Sequence, residues 1–410
     1  MKAYIIDEYV SSQKNGIGTF MQELVFSLRK IGQDVRIIEF NSKEKHFCIK
    51  REDDLAKICF PPFPDGRFTR YHKTIEKFFR LYIDDCLENV FMFNHSPCEN
   101  LMAAVKKSFP LSKMIFTIHD MGWTAGLFGD VVKYKEIIAK RRQKKMKERY
   151  GYILDYFDKE KKMYTIADKV VCLSQDTRQL LASTYQVNPD KIHLIPNALR
   201  DIRMSSEHSN TSSLREEMHV PKKEKIILCV GRLTEVKGCI ALIQSFGKVL
   251  EQYPDCRLVM AGAMQNASST LEICSTFAAK VSFTGLISRE ELSRWYRIAD
   301  IGAIPSFSEQ SSYTAIEMMM HGLPIAVAKA NGLKNMFEDN TNAKMVDICS
   351  SREEYVDNLA VVLLDLLKNN SLRRRLGHSA RKNYLDRFQQ KRMQEDYENL
   401  FKSFKKKESR

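Results

Sequence analysis

Short apolar stretches alternate with segments of helical periodicity along this chain, and they do so twice, on either side of a polar break. Residues 3–7, 35–40, 90–94, 113–119, 169–174 and 191–196 read as strands, with helical periodicity over 19–31, 70–88, 97–108, 131–165 and 176–186. In 19–31, for instance, Phe20, Leu24, Val25 and Leu28 form one apolar stripe. Residues 201–213 are rich in Ser and carry no apolar period, so they read as a linker. The alternation then resumes, with strands at 226–231, 257–262, 281–284, 301–305, 324–328 and 343–348 and helical pattern from 351 onward. Strands that alternate with helices predict a parallel sheet covered on both faces, because successive parallel strands need a crossover. A chain of 410 residues is long enough for two such α/β units of about 200 residues each.

No apolar run reaches the ~20 residues that span a bilayer. Residues 1–7 read as a first strand and not as a signal peptide. The ten cysteines show no CxxC spacing, and several, such as Cys172 and Cys229, lie in apolar runs as small hydrophobes. A reducing cytoplasm is therefore the expected setting. The formal charge of +14 suits an anionic partner. No nucleic-acid motif accompanies it, so phosphorylated substrates and membrane surfaces remain. Residues 139–150, which include Arg141, Arg142, Lys144 and Lys145, are the candidate contact with an anionic acceptor or leaflet; the alternative is a solvated helix face.

Residues 302–332 carry the densest chemistry. A strand ends at Pro305-Ser306, a loop brings Glu309, a helix opens at Ser311-Ser312-Tyr313 and carries Glu317, and Gly322-Leu323-Pro324 leads into the next strand. Ligands bind at the carboxyl ends of strands in such units, and a helix start favours an anion. The two carboxylates, eight positions apart, can face one crevice. Upstream, Gly231-Arg232-Leu233 follows a buried strand and Lys237-Gly238 opens a helix. Arg232 offers a fork for paired phosphate oxygens and Lys237 a mobile point charge. Gly16 and Gly18 form a flexible turn before the first helix, where backbone N–H groups can approach a phosphate. His95 and His119, the latter followed by Asp120, sit at predicted strand ends. No Asp-x-Asp triplet or His/Cys cluster with metal spacing occurs.

With Glu309 and Glu317 spaced in this way behind Pro-Ser, and Gly322 and Pro324 after them, the chain resembles the retaining glycosyltransferases of the GT-B fold, family 4 or group 1 type, which include glycogen synthases, sucrose synthases and bacterial mannosyltransferases. Gln310-Ser311-Ser312 stand where that family often has Pro-Phe-Gly. The resemblance implies two Rossmann-like domains facing a central cleft. Residues 1–200 would form the acceptor-side domain, 201–387 the nucleotide-sugar domain, and 388–410 a return to the first. It implies that Glu317 holds the ribose hydroxyls, Glu309 the donor sugar, and Arg232 and Lys237 the departing diphosphate. Gly231, Gly285, Leu286, Gly332, Ser311, Ser312 and Tyr313 would then lie on the nucleotide side, His119 near the reaction centre, and His95 and Asp120 toward the acceptor. Ser174 matches a recurrent strand-end serine and Asn197 an interdomain hinge. The implied activity is transfer of a sugar from a UDP- or GDP-sugar to a hydroxyl of a glycan, lipid-linked or peptide acceptor. It would proceed with retention, with no cofactor beyond the donor and no metal, in bacterial glycan or glycoconjugate synthesis. A nucleotide-sugar epimerase on the same fold and a non-catalytic nucleotide-sugar-binding protein are the alternatives. The first lacks a visible acid–base set, and the intact Arg232, Lys237, Glu309 and Glu317 speak against the second.

Overall fold

The computed structural model describes residues 1–8, 16–52, 54–62, 75–95, 97–203, 211–265, 267–349 and 351–405, with only the backbone at 267–269 and 405. Its contacts divide the chain into two units, Met1–Asn197 together with the segment from Gln390, and Ala198–Gln389.

The first unit holds an eight-stranded sheet. Its strands are β1 (Lys2–Glu8), β2 (Asp34–Phe40), β3 (Cys48–Glu52), β4 (Leu55–Cys59), β5 (Asn89–Phe93), β6 (Lys113–Ile118), β7 (Lys169–Cys172) and β8 (Ile192–Leu194). They lie in the order β3-β4-β2-β1-β5-β6-β7-β8, parallel except for the β3–β4 hairpin. β5 and β7 are buried along their whole length, which is why central parallel strands read as continuous apolar runs. The helix Gln390–Lys405 packs on this unit through Met393, Tyr397, Leu400, Phe401 and Phe404, and Gln390 Nε2 donates to Ser27 Oγ at 2.9 Å.

The second unit holds six parallel strands: β9 (Lys225–Val230), β10 (Cys256–Ala261), β11 (Val281–Gly285), β12 (Ile301–Ile304), β13 (Ile325–Ala328) and β14 (Lys344–Val346). Their order is β11-β10-β9-β12-β13-β14. The chain builds outward from β9 on one side and then jumps back beside it with β12. That reversal opens a crevice at the carboxyl ends of β9 and β12; β1 and β5 make the same reversal in the first unit.

Four expectations are corrected. The helical stretch 131–165 is two helices, Val131–Ala139 and Lys144–Ile166. The first buries Ile137 and Ile138, and Lys140-Arg141-Arg142-Gln143 then offers nothing apolar to continue the buried face, so the basic run straddles a break. The hairpin β3–β4 appears where no strand was expected. An edge strand reading Cys-Ile-Lys-Arg-Glu hides behind the charges that protect edges from mispairing. Of the stretch 70–88, residues 75–79 are helical and 80–82 turn; 70–74 lie outside the described residues. Of the linker, 204–210 also lie outside them, while Thr211–Glu217 is a helix anchored by buried Leu214. Among the described residues no helix is long and apolar enough to cross a membrane.

Candidate functional site

At the carboxyl end of the second sheet, bare backbone does the packing. Gly231 has φ +135°, and its N–H donates to Ala261 O at 2.9 Å. A Cβ on Gly262 would stand 1.9 Å from Gly231 O, and Gly262 N–H donates to Gly285 O at 2.9 Å. The ends of β9 and β10 can therefore come this close only because position 262 is glycine. Arg232 follows, exposed, with no side-chain hydrogen bond or ion pair among the described residues. The chain turns through Lys237-Gly238, where a Cβ on Gly238 would come within 2.1 Å of Pro305 O, and Phe307 N–H donates to Val236 O at 2.9 Å. This seats the loop after β9 against the loop after β12 and brings Lys237 Nζ to 2.6 Å from Glu309 Oε1. Glu309 is held in turn by the loop after β13. Its N–H donates to Asn331 O at 3.3 Å, and a Cβ on Gly332 would lie 2.2 Å from Glu309 O.

The next helix, Tyr313–Met320, is capped by Ser312, whose hydroxyl accepts from Ala315 N–H at 3.4 Å, and Ser311 and Ser312 are both buried. Thr314 Oγ1 donates to Val230 O at 3.4 Å, fixing the helix start to the end of β9. Glu317 accepts the Tyr296 hydroxyl at 2.7 Å, while the Tyr296 ring stacks on His321 at 5.0 Å. Burial pushes the Glu317 carboxyl above its ordinary range, against the Tyr296 hydrogen bond and the charge of Arg289. Gly285, at φ +67°, ends β11, and Leu286 beyond it is 60% exposed.

In the first unit the corresponding end is built from side chains. His95 Nε2 lies 3.2 Å from Asp7 Oδ1 and 3.2 Å from the N–H of Glu8. His119 packs edge-on against Phe20, ring centroids 4.4 Å apart, and its buried Nε2 has no partner among the described residues. Burial, with His95 adding, pushes its pKa down to about 3, so it stays neutral at physiological pH. Asp120 is engaged within its own turn, accepting from Met121 N–H at 2.8 Å and Thr124 Oγ1 at 2.7 Å. Gly16 and Gly18, expected in a turn before the first helix, lie instead inside it, in the first turn of the helix Gly16–Lys30; Asn15 before them is outside the described residues. Ser174 caps the helix Gln175–Ser183 by accepting from Thr177 N–H at 3.2 Å, and Asn197 is buried where the unit ends.

Residue-type reasoning overlooked Asp7, Gly262 and Tyr296. Gly262 could have been found from its strand-end place in a chain with only 17 glycines. Nothing local marks the other two.

Two doubly wound parallel sheets in one chain define the GT-B fold class. Sucrose-phosphate synthase from Thermosynechococcus elongatus shares it with a TM-score of 0.74 over 98% of both chains, at 17% identity. Anabaena HepE, solved in complex with UDP and glucose, does so at 0.73 over 98% of this chain and 100% of its own, at 14% identity. Residues 14–201 match the family described as Glycosyltransferase Family 4, and residues 210–383 match Glycosyl transferases group 1. An uncharacterised glycosyltransferase of Methanocaldococcus jannaschii is 31% identical over 180 residues, 42% of this chain and 45% of its own. A D-inositol 3-phosphate glycosyltransferase of Corynebacterium diphtheriae is 29% identical over 197 residues, 46% of either chain. The chain spans about half the length of these curated relatives. With one family match on each half and the fold throughout, it belongs to the GT-B glycosyltransferases of group 1 and family 4.

Proposed function

We propose that this protein transfers a sugar from a nucleoside diphosphate donor, UDP- or GDP-linked, to a hydroxyl acceptor with retention at the anomeric carbon. The observation that carries the reading is the Lys237–Glu309 pair beside exposed Arg232, at the strand reversal of the second sheet. In the free protein Glu309 neutralises Lys237. A diphosphate is the stronger anion: it takes Lys237 and Arg232 and releases Glu309 to accept from hydroxyls of the donor sugar. Glu317, steadied by Tyr296, accepts from the ribose hydroxyls.

As the bond from the anomeric carbon to the phosphate oxygen breaks, negative charge grows on the diphosphate, and the two cations stabilise it there. The acceptor oxygen bonds to the same face of that carbon and its proton passes to the departing phosphate oxygen. This yields retention with no protein nucleophile, and the step needs neither a metal nor a further cofactor. Neutral His119 offers hydrogen bonds to uncharged hydroxyls without repelling or attracting charge. HepE, also solved with UDP-glucose, supports the donor class, and the D-inositol 3-phosphate glycosyltransferases support a hydroxyl acceptor that can carry a phosphate. Exposed Arg141, Arg142, Lys144 and Lys145 would meet an anionic acceptor or leaflet by charge alone, since Ile137 and Ile138 are buried.

Incubation with a panel of UDP- and GDP-sugars, with and without sugar and polyol-phosphate acceptors, should release nucleoside diphosphate and form a glycoside of unchanged anomeric configuration. A product of inverted configuration would remove the retaining mechanism. Absence of release and transfer across the panel would remove the reading.

A further inference from the structure

Glu160 lies inside the first unit, 1% exposed, on the helix Lys144–Ile166. Oε1 accepts the N–H of Gly122 at 2.7 Å, and Oε2 accepts the Tyr185 hydroxyl. The hydroxyls of Tyr185 and Tyr134 lie 2.6 Å apart, and Trp123 stacks on Tyr134 with centroids 4.4 Å apart. A carboxylate so deep normally pairs with a cation, because desolvation of the charge is costly. No lysine or arginine pairs with this one among the described residues, and the titratable groups around it are Tyr134, Tyr164, Tyr185 and Asp120. Burial pushes its pKa up to about 7, against the bonds from Tyr185 and Gly122, with Asp120 adding to the rise.

The backbone group that Glu160 binds belongs to the turn that leaves β6 directly after His119. That turn has little freedom to find another seat. A Cβ on Gly122 would come within 2.2 Å of the Tyr156 ring, and Asp120 ties Met121 and Thr124 from the other side. We propose that Glu160 is a positioning residue, which pins the 120–124 turn to the helix Lys144–Ile166 and so sets where His119 stands at the end of β6. Its consequence for catalysis rests on the transfer reading above; its grip on the turn does not. The ionised carboxylate accepts from both neighbours. Once protonated it must donate to Tyr185, which reverses the Tyr185–Tyr134 bond next to Trp123.

Trp295→Phe leaves Trp123 as the only tryptophan of two. In that background, fluorescence titrated from pH 5.5 to 8.5 should show a transition near the pKa of about 7, absent after Glu160→Gln. Glu160→Ala would open a cavity beside three tyrosines and endanger the fold, so the near-isosteric Gln is the variant of choice. In sugar transfer, Glu160→Gln should lower kcat about 3- to 10-fold, as a small displacement of a reacting geometry does, and flatten its pH profile around 7. The KM for the donor should stay within about twofold. A transition that persists in Glu160→Gln, or a transfer profile that this substitution leaves unaltered, overturns the proposal. A transition lost in Glu160→Gln together with no turnover of any donor by the native protein upholds the pinned turn and removes the transfer reading instead.

Discussion

The two sheets reverse strand order in the same way, at β1–β5 and at β9–β12, yet they furnish their carboxyl ends with opposite materials. The second places glycines, exposed Arg232 and the Lys237–Glu309 pair there. The first places imidazoles, an aspartate and an aromatic face, with His119 held neutral by burial. Close-packed backbone and mobile cations suit a highly charged ligand; a neutral imidazole suits hydroxyls. One topology thus offers two chemistries, and the residues at the strand ends decide which.

The largest effect that could break this contrast is on turnover. Arg232→Ala and Lys237→Ala should each lower kcat by about 30- to 1000-fold, the loss of roughly 2–4 kcal/mol of charge stabilisation in the transition state. Steady-state kinetics with the best donor decides, and unchanged turnover in both variants would sink the diphosphate assignment. Next comes nucleotide binding. Glu317→Ala should weaken the free nucleoside diphosphate by about tenfold or more, one charge-assisted hydrogen bond being worth roughly 1.5–3 kcal/mol. Glu309→Ala should leave that binding intact or tighten it, since Lys237 is then released from its pair. Calorimetry that finds equal weakening in both variants would erase the division between the carboxylates. Because the Glu317 carboxyl titrates above its ordinary range, native binding should weaken as the pH falls through that raised pKa.

Within the first unit, His119 and Glu160 should tilt stability in opposite directions. His119 is lowered from 6.5 to about 3, so below 6.5 the unfolded chain takes up a proton that the fold refuses, and stability falls as the pH drops. Glu160 is raised from 4.5 to about 7, so stability falls as the pH rises through that window. Each slope approaches about 1.4 kcal/mol per pH unit. Relative to the native protein, His119→Gln should gain stability as the pH falls from 6.5, and Glu160→Gln should gain it as the pH rises from 4.5. Urea unfolding between pH 4 and 8 tests both, and parallel trends would contradict the assignment. The smallest expected effect is none at all: a strong chelator should leave transfer intact if Arg232 and Lys237 alone hold the leaving diphosphate. Activity abolished by chelation and restored only by Mg²⁺ or Mn²⁺ would overturn that.

Much of the second site was legible because its parts are local. Gly231-Arg232, Lys237-Gly238 and Gly332 sit within two residues of a strand end or helix start, and Glu309 and Glu317 lie in the loop and the helix that apolar patterning places between two strands. Of the first site only His95 and His119 stood out, as histidines at predicted strand ends, because Asp7 and Glu160 come from separate elements, each one polar residue with nothing in its own neighbourhood to mark it. The β3–β4 hairpin escaped for a different reason: at an edge, charge replaces the alternation that betrays a buried strand.

By itself, then, the sequence determined the α/β class, the two runs of strands and the charged motifs of the second half, since apolar period and turn chemistry act over a few residues. Tertiary structure alone decided the strand orders, the pairing of Lys237 with Glu309 and of Tyr296 with Glu317, and the seating of Glu160 under the turn after His119. Those contacts join residues from 21 to 72 positions apart. No local propensity encodes them; they form because the packing of helices and loops on each sheet brings together residues far apart in the sequence.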